Sequence, residues 1–429
     1  MDKTEFQELL WTGMGRAIVY ARDHDVRPFR DVILDACLYC RTIDPQCEGT
    51  RGDYMLDLVN VLPDRNFYRE EVLKAIPGCG DDWHGCQRYR FAACMAFEGD
   101  ELAKKIMYDS FPPGPRKAGH IAIDFVEVDG LKGFTFAAPK LGALMVLTPG
   151  VVDADWLWWQ ILNAVGMKRA EAALREAAAA DSNAEKYRQF LNTKPTGNPL
   201  NYREVLRSEA VRALPYEKLR PKLGQTSRGD LAVWGKRASA AALDRAAQGL
   251  LQAQTAEEQI QHLRIFARTS FPSDPGKLLE LALSSDTELA RTAGRALANV
   301  ANPSVRDLAF RLIESRATSG DFAIAMLDRN FQPGDHEIAL RWFENETDRD
   351  ERHRMEMDLK EFCRHHPDSV AERPVLLSLY ENGPCSFCRE DVVRRLIELD
   401  ALSPELRREC EFDANEDIRQ LVAKPDIKT

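Results

Sequence analysis

At 429 residues the chain is too long for one ordinary hydrophobic core, so two or three domains or one repeating architecture are expected. Hydrophobic residues at 44% and charged residues at 29% exclude a disordered chain, and a net charge of −10 weighs against a protein that mainly grips a phosphate backbone. No apolar run reaches the roughly 18 residues a membrane helix needs, so no membrane partner is expected. Met1-Asp2-Lys3-Thr4-Glu5 leads straight into an amphipathic pattern without a secretory segment, which predicts a cytoplasmic protein whose ten cysteines are reduced.

In the N-terminal third, Phe6, Leu9, Leu10, Met14, Ala17, Ile18 and Ala21 form one helical stripe, with Thr12-Gly13-Met14-Gly15-Arg16 as helix interior. A helix predicted over 31–42 carries Cys37 and Cys40 on one face with Ile33 and Leu34. Two readings stand for this pair. A free cysteine behaves as a small buried hydrophobe. Alternatively, in a helical stack the turn 79–86 falls near Cys40 and Cys47, and Cys79, His84 and Cys86 then add thiolate and imidazole ligands for tetrahedral zinc. The spacing is not that of a zinc ribbon, so such ligands would assemble through space.

Residues 121–128 have the β-branching and alternation of a strand, but their helical surroundings leave a lone strand without a partner, and helix is expected. In Trp156-Leu157-Trp158-Trp159-Gln160, the residues Leu157, Trp158 and Ile161 share one helical face, while Trp156 and Trp159 lie around the other side. An indole exposed there marks a partner surface; burial on two sides would make both indoles core. Residues 166–192 are rich in Ala, Glu and Arg and predict one helix. The break Thr193-Lys194-Pro195-Thr196-Gly197-Asn198-Pro199 sets a hinge near 195. Residues 202–237 then carry nine Lys/Arg, among them Arg203, Arg207, Arg212 and Lys222, against four acids. Such a run binds an acidic partner or nucleic acid, or is a solvated face paired to neighbouring acids.

The clearest periodicity lies at 275–315, where Leu278, Leu279, Ala282 and Leu283, then Leu289, Ala293, Ala296, Leu297 and Val300, then Val305, Leu308, Ala309, Leu312 and Ile313 make three successive apolar helix faces. Helices this short, with so little between them, must stack on one another. The phrases Asp286-Thr287-Glu288-Leu289-Ala290-Arg291-Thr292-Ala293 and Asn302-Pro303-Ser304-Val305-Arg306-Asp307-Leu308-Ala309 share an Asp/Asn-led turn, an aliphatic, an Arg and a small residue. Fragments of the phrase return at 390–397 and 415–422. This pattern resembles the HEAT-repeat family, which implies an all-α, right-handed α-solenoid of antiparallel helix pairs. The expected organisation is an irregular helical-repeat segment over 1–195, a helical connector with the basic run over 196–255, and a HEAT-like segment over 256–429.

Cys385 and Cys388 follow the turn Asn382-Gly383-Pro384 and open a helix, where the partial positive charge lowers a thiol's pKa. Cys363, with His365 and His366, is placed to complete a metal site with them; the alternative is again ordinary burial. No phosphate loop, Gly-x-Gly-x-x-Gly, Gly-x-Ser-x-Gly or His-Glu-x-x-His occurs. The expected function is therefore a non-enzymatic scaffold that binds another protein and needs no cofactor. Its competitor resembles the HEAT-like DNA-alkylation-repair glycosylases, with the 202–237 run on nucleic acid and the Trp156/Trp159 pair near an extruded base, although the net charge opposes it. A third possibility resembles the HEAT-like phycobilin lyases, with no particular residue in support.

Overall fold

A computed structural model describes residues 1–193, 214–315 and 322–423, and every regular element among them is helical. The chain divides into two units: Met1–Lys194 with Pro384–Arg394 and Leu402–Thr429, and Pro195–Gly383 with Arg395–Ala401. The block read from sequence as 256–429 is thus shared between the two units.

The first unit holds α1 (Lys3–Thr12), α2 (Arg16–Asp23), α3 (Arg30–Leu38), α4 (Pro45–Glu48), α5 (Gly52–Asn60), α6 (Arg65–Ala75), α7 (Trp83–Phe97), α8 (Glu101–Ser110), α9 (Ala118–Asp129), α10 (Leu131–Leu147), α11 (Asp155–Val165), α12 (Met167–Ala180) and α13 (Ser182–Thr193). The expected first stripe is two helices. Gly13, at φ 71°, ends α1 by turning its N–H back to the Leu9 and Leu10 carbonyls, a conformation natural to glycine. The Ala/Glu/Arg-rich stretch also divides, because the Asp181 carboxylate accepts from the Asn183 and Ala184 N–H groups and starts α13, which folds back on α12. Residues 121–128 lie in α9, as expected.

Alternate helices pack side by side: α2 on α5, α5 on α7, α7 on α9 and α9 on α11, while α3, α6, α8 and α10 back this row. Gly119 sets the α9–α11 contact. A Cβ there would stand 1.6 Å from the Asp153 carbonyl oxygen, so only glycine lets the start of α11 reach the start of α9.

The second unit holds α14 (Tyr216–Leu219), α15 (Arg228–Arg237), α16 (Ala240–Gln252), α17 (Ala256–Ile265), α18 (Gly276–Ala282), α19 (Thr287–Leu297), α20 (Pro303–Ser315), α21 (Ala323–Arg329), α22 (Asp335–Asn345), α23 (Arg349–His365) and α24 (Glu372–Asn382). The three helices expected over 275–315 are α18, α19 and α20, and Leu289, Ala293, Leu297, Val305, Leu308 and Leu312 are buried. Asp286 caps α19 by accepting from the Glu288 and Leu289 N–H groups, both at 3.0 Å. Helices pair with a chain neighbour, as α16 with α17, α18 with α19 and α20 with α21, and one member of each pair stacks along the row α15–α17–α19–α21–α23. Arg306, the arginine of the second repeated phrase, forms a two-pronged pair with buried Asp335 at 2.6 and 2.7 Å.

The remaining helices are α25 (Ser386–Glu398), α26 (Pro404–Cys410) and α27 (Glu416–Ala423). Within the first unit, α26 packs on α2. The Ala414 N–H donates to the Gly13 carbonyl at 2.9 Å, and a Cβ on Gly15 would meet the Glu409 carbonyl oxygen at 1.9 Å. Buried Arg389 donates to buried Asp413 at 2.9 Å and to the Thr12 carbonyl at 2.8 Å. Glu48, at the end of α4, accepts from the Ser386 N–H and hydroxyl at 2.8 Å each and pairs with Arg51.

Candidate functional site

The row α5–α7–α9–α11 presents one face on which helical spacing sets out the side chains. On α5 these are Asp53 and Asp57; on α7, Trp83, Arg90, Cys94 and Phe97; on α9, His120, Asp124 and Glu127; on α11, Trp156 and Gln160. A groove of about 580 Å³ crosses all four helices, with Leu56, Ala93, Val126, Val128 and Ala164 as its apolar lining and Glu98 at its edge.

Arg90 is the centre of the polar network. Its Nε and Nη2 donate to the two Asp53 oxygens at 2.8 and 3.0 Å, and its Nη1 donates to Asp124 Oδ1 at 3.1 Å and to Glu127. Cys94 Sγ donates to Asp53, and Gln160 Nε2 donates to Glu127 Oε1 at 3.2 Å. Burial pushes the Asp124 carboxyl up to about 7; Arg90 opposes this, and Glu127 and Asp53 add to it. Burial works against the Arg90 charge, but Asp124 and Asp53 outweigh it and keep the guanidinium protonated. Burial and then Asp53 raise the Cys94 thiol well above its ordinary range, so it supplies no thiolate nucleophile. Desolvation also raises Asp57, with Arg419 opposing.

An aromatic row lies at the N-terminal ends of α7, α9 and α11, outside the lining of the groove. The Trp83 and His120 ring centroids are 5.0 Å apart, and those of His120 and Trp156 are 6.4 Å apart with planes inclined by 27°. Lys117 Nζ stands 3.5 Å over the Trp83 ring, and Trp156 Nε1 donates to Asp153 Oδ2 at 3.2 Å. Burial and then Lys117 lower the His120 pKa, so its ring is neutral at pH 7. Trp156 is 43% exposed and Phe97 78% exposed.

Of the residues singled out in the sequence, Trp156 belongs to this face, and Trp159 is half-buried on α11. The predicted helix over 31–42 ends at Leu38. Tyr39 is extended, and the Cys40 N–H donates to His84 Nδ1 at 3.0 Å instead of continuing the helix. The turn 79–86 therefore does reach Cys40, whose Sγ also bonds Thr42 Oγ1 at 3.1 Å. Cys37 and Cys86 are buried, and burial raises both thiols; it also raises half-buried Cys79. Cys47 is exposed and is raised by its hydrogen bond to Asp44. Among the described residues, these five cysteines and His84 do not gather into a three-ligand cluster.

Cys385 and Cys388 are buried in the first unit, at the start of α25. The Glu48 carboxylate already faces that helix N-terminus, accepting from the Ser386 N–H. Cys363 belongs to the second unit, where burial pushes its thiol up to about 12. There, His365 and His366 both turn to Asp328, at 2.9 and 3.0 Å. Arg203, Arg207 and Arg212 lie outside the described residues, and Lys222 is exposed on the turn Arg220–Gln225. The second unit also has a hollow of about 380 Å³ beside the buried Tyr216–His262 hydrogen bond of 3.0 Å.

Sequence reasoning missed Arg90, Asp53, Asp124 and Glu127. The available signal was a pair of acids three apart within an otherwise apolar helical run at 121–128. No family model, curated protein or solved structure matches the chain.

Proposed function

We propose that the chain is a non-enzymatic, HEAT-like α-solenoid scaffold, and that it binds another protein on the face of α5, α7, α9 and α11. Two features support the architecture: the packing of helices on their neighbours and next-but-one neighbours within each unit, and the repeated capped phrases of α19 and α20. One observation carries the function. Four rim carboxylates, Asp53, Asp57, Glu98 and Glu127, surround a groove whose lining has a single guanidinium, Arg90. Arg69 lies 3.8 Å from Glu98, and Arg419 and Arg22 act on Asp57, but the lining itself carries more carboxylates than cations beside exposed Phe97, as suits a partner with basic and apolar side chains. The same charge repels a phosphate backbone, so the nucleic-acid alternative draws nothing from this face.

The test compares proteins retained by the immobilised chain with those retained by Asp57→Lys/Glu98→Lys, both variants having been checked for folding. A protein retained by the first and lost by the second is expected. Equal retention by both, or salt-sensitive binding of nucleic acid alone, would remove the proposal.

A further inference from the structure

We infer that Cys385 and Cys388 are a redox-active dithiol, oxidised by a low-molecular-weight disulfide that reaches them through exposed Cys47. Cys385 caps α25: the N–H of Cys388, the third residue of that helix, donates to Cys385 Sγ at 3.5 Å, as it would to a capping oxygen. The cap keeps the two sulfurs together, within 4.8 Å of each other. Turning both side chains inward closes that gap to the bond length of a disulfide, about 2.05 Å. Both cysteines are buried, so a dissolved oxidant needs an intermediary. Cys47 is exposed, and neighbouring residues tie it to the pair. Glu48, which follows Cys47, accepts from the N–H and hydroxyl of Ser386, which follows Cys385, at 2.8 Å each. Cys385 is also among the groups whose charge acts on Cys47. One exposed thiol beside two buried ones supplies the parts of an exchange relay.

With glutathione disulfide as the oxidant, the Cys47 thiolate attacks one of its sulfurs, releases one glutathione thiolate and keeps the other glutathione in a mixed disulfide. The Cys385 thiolate then attacks the Cys47 sulfur, the second glutathione leaves, and a Cys47–Cys385 disulfide forms. Finally the Cys388 thiolate attacks the Cys385 sulfur, and Cys47 leaves as a thiolate and takes up a proton. In sum, Cys385 and Cys388 lose two electrons and two protons, and one glutathione disulfide becomes two glutathione thiols. The hydrogen bond from Cys47 to Asp44 holds the thiol proton, so the first step is slow at neutral pH. A reversible dithiol of this kind is the usual form of disulfide chemistry in a reducing compartment.

The experiment incubates the full, reduced chain with glutathione disulfide, quenches with acid, alkylates the remaining thiols and maps the peptides by mass spectrometry. The unmodified chain is expected to gain a Cys385–Cys388 disulfide and to keep Cys47 as a thiol. Cys388→Ser should halt the relay one step early and accumulate the Cys47–Cys385 disulfide. Cys47→Ser should slow oxidation of the pair about tenfold or more, because no exposed thiol is left beside it. Circular dichroism checks that both variants keep the helical content of the unmodified chain. Cys385 and Cys388 that stay reduced in the unmodified chain, or that bond to other cysteines instead, would overturn the dithiol. A Cys385–Cys388 disulfide that forms as fast in Cys47→Ser, or glutathione that stays on Cys47 in Cys388→Ser, would overturn the relay.

Discussion

Two arginine clusters of the first unit use the same chemistry to different ends. Arg389 and Asp413 are a matched pair with side chains 0% and 1% exposed, and Arg389 also donates to the Thr12 carbonyl. Arg90 faces Asp53, Asp124 and Glu127 together, and two of those three carboxylates remain more than a third exposed. The sealed pair is out of reach of any partner and serves the fold. The open cluster has more negative charge than its own cation neutralises, and that surplus is available to another molecule.

The largest expected effect tests the sealed side. Arg389→Met leaves Asp413 buried without its cation and should cost about 3–5 kcal/mol in urea unfolding. A loss below about 1 kcal/mol would mean that the pair does not hold the fold. Gly15→Ala, which drives a Cβ into the Glu409 carbonyl, should cost about 1–3 kcal/mol in the same measurement.

The next effect has opposite signs in the two regions. Burial works to raise Glu48, but Arg51 and the N–H groups of Asp44 and Ser386 outweigh it and hold the carboxyl below its ordinary range. Its contribution is therefore present above the unfolded-state value of 4.5 and is lost as pH falls through the lower folded value. Asp124 is raised, so the folded state holds a proton that the unfolded chain has released between 3.8 and about 7. Across that window Asp124 makes the protein less stable as pH rises, by at most about 1.4 kcal/mol per pH unit. Melting temperatures at pH 5, 6, 7 and 8 should show that slope in the unmodified chain and its loss in Asp124→Asn. An identical pH profile for the two would place Asp124 in an ordinary carboxylate environment.

The smallest expected effect lies on the open rim. Asp57→Asn with Glu98→Gln should change stability by no more than about 0.5 kcal/mol, since both side chains lie at the edge of the groove. A larger loss would move these acids from the binding face to the framework.

The helices were legible wherever an apolar face recurred at regular spacing, as in α18, α19 and α20. Trp156 was legible too, because it falls opposite Leu157 and Ile161 on its helix. Helix ends were less so. Gly13 and Asp181 divide runs of good helical pattern through one residue's backbone angle or side-chain cap, and α3 stops where Cys40 finds a donor's partner in His84. The Arg90 cluster was not legible, because its members lie 37 and 34 residues apart and helical periodicity carries no register between one helix and the next but one. The join between Gly13 and Ala414 has no local signal at all.

That join has a consequence for how the protein is made. Arg16 bonds Glu409 across 393 residues of sequence. At about 5–20 residues per second, a ribosome delivers Glu409 roughly 20–80 s after Arg16. Throughout that interval α2 waits with its packing surface uncovered, so the first helices synthesised are among the last to be completed, and a nascent chain stalled before α26 would present that surface to chaperones.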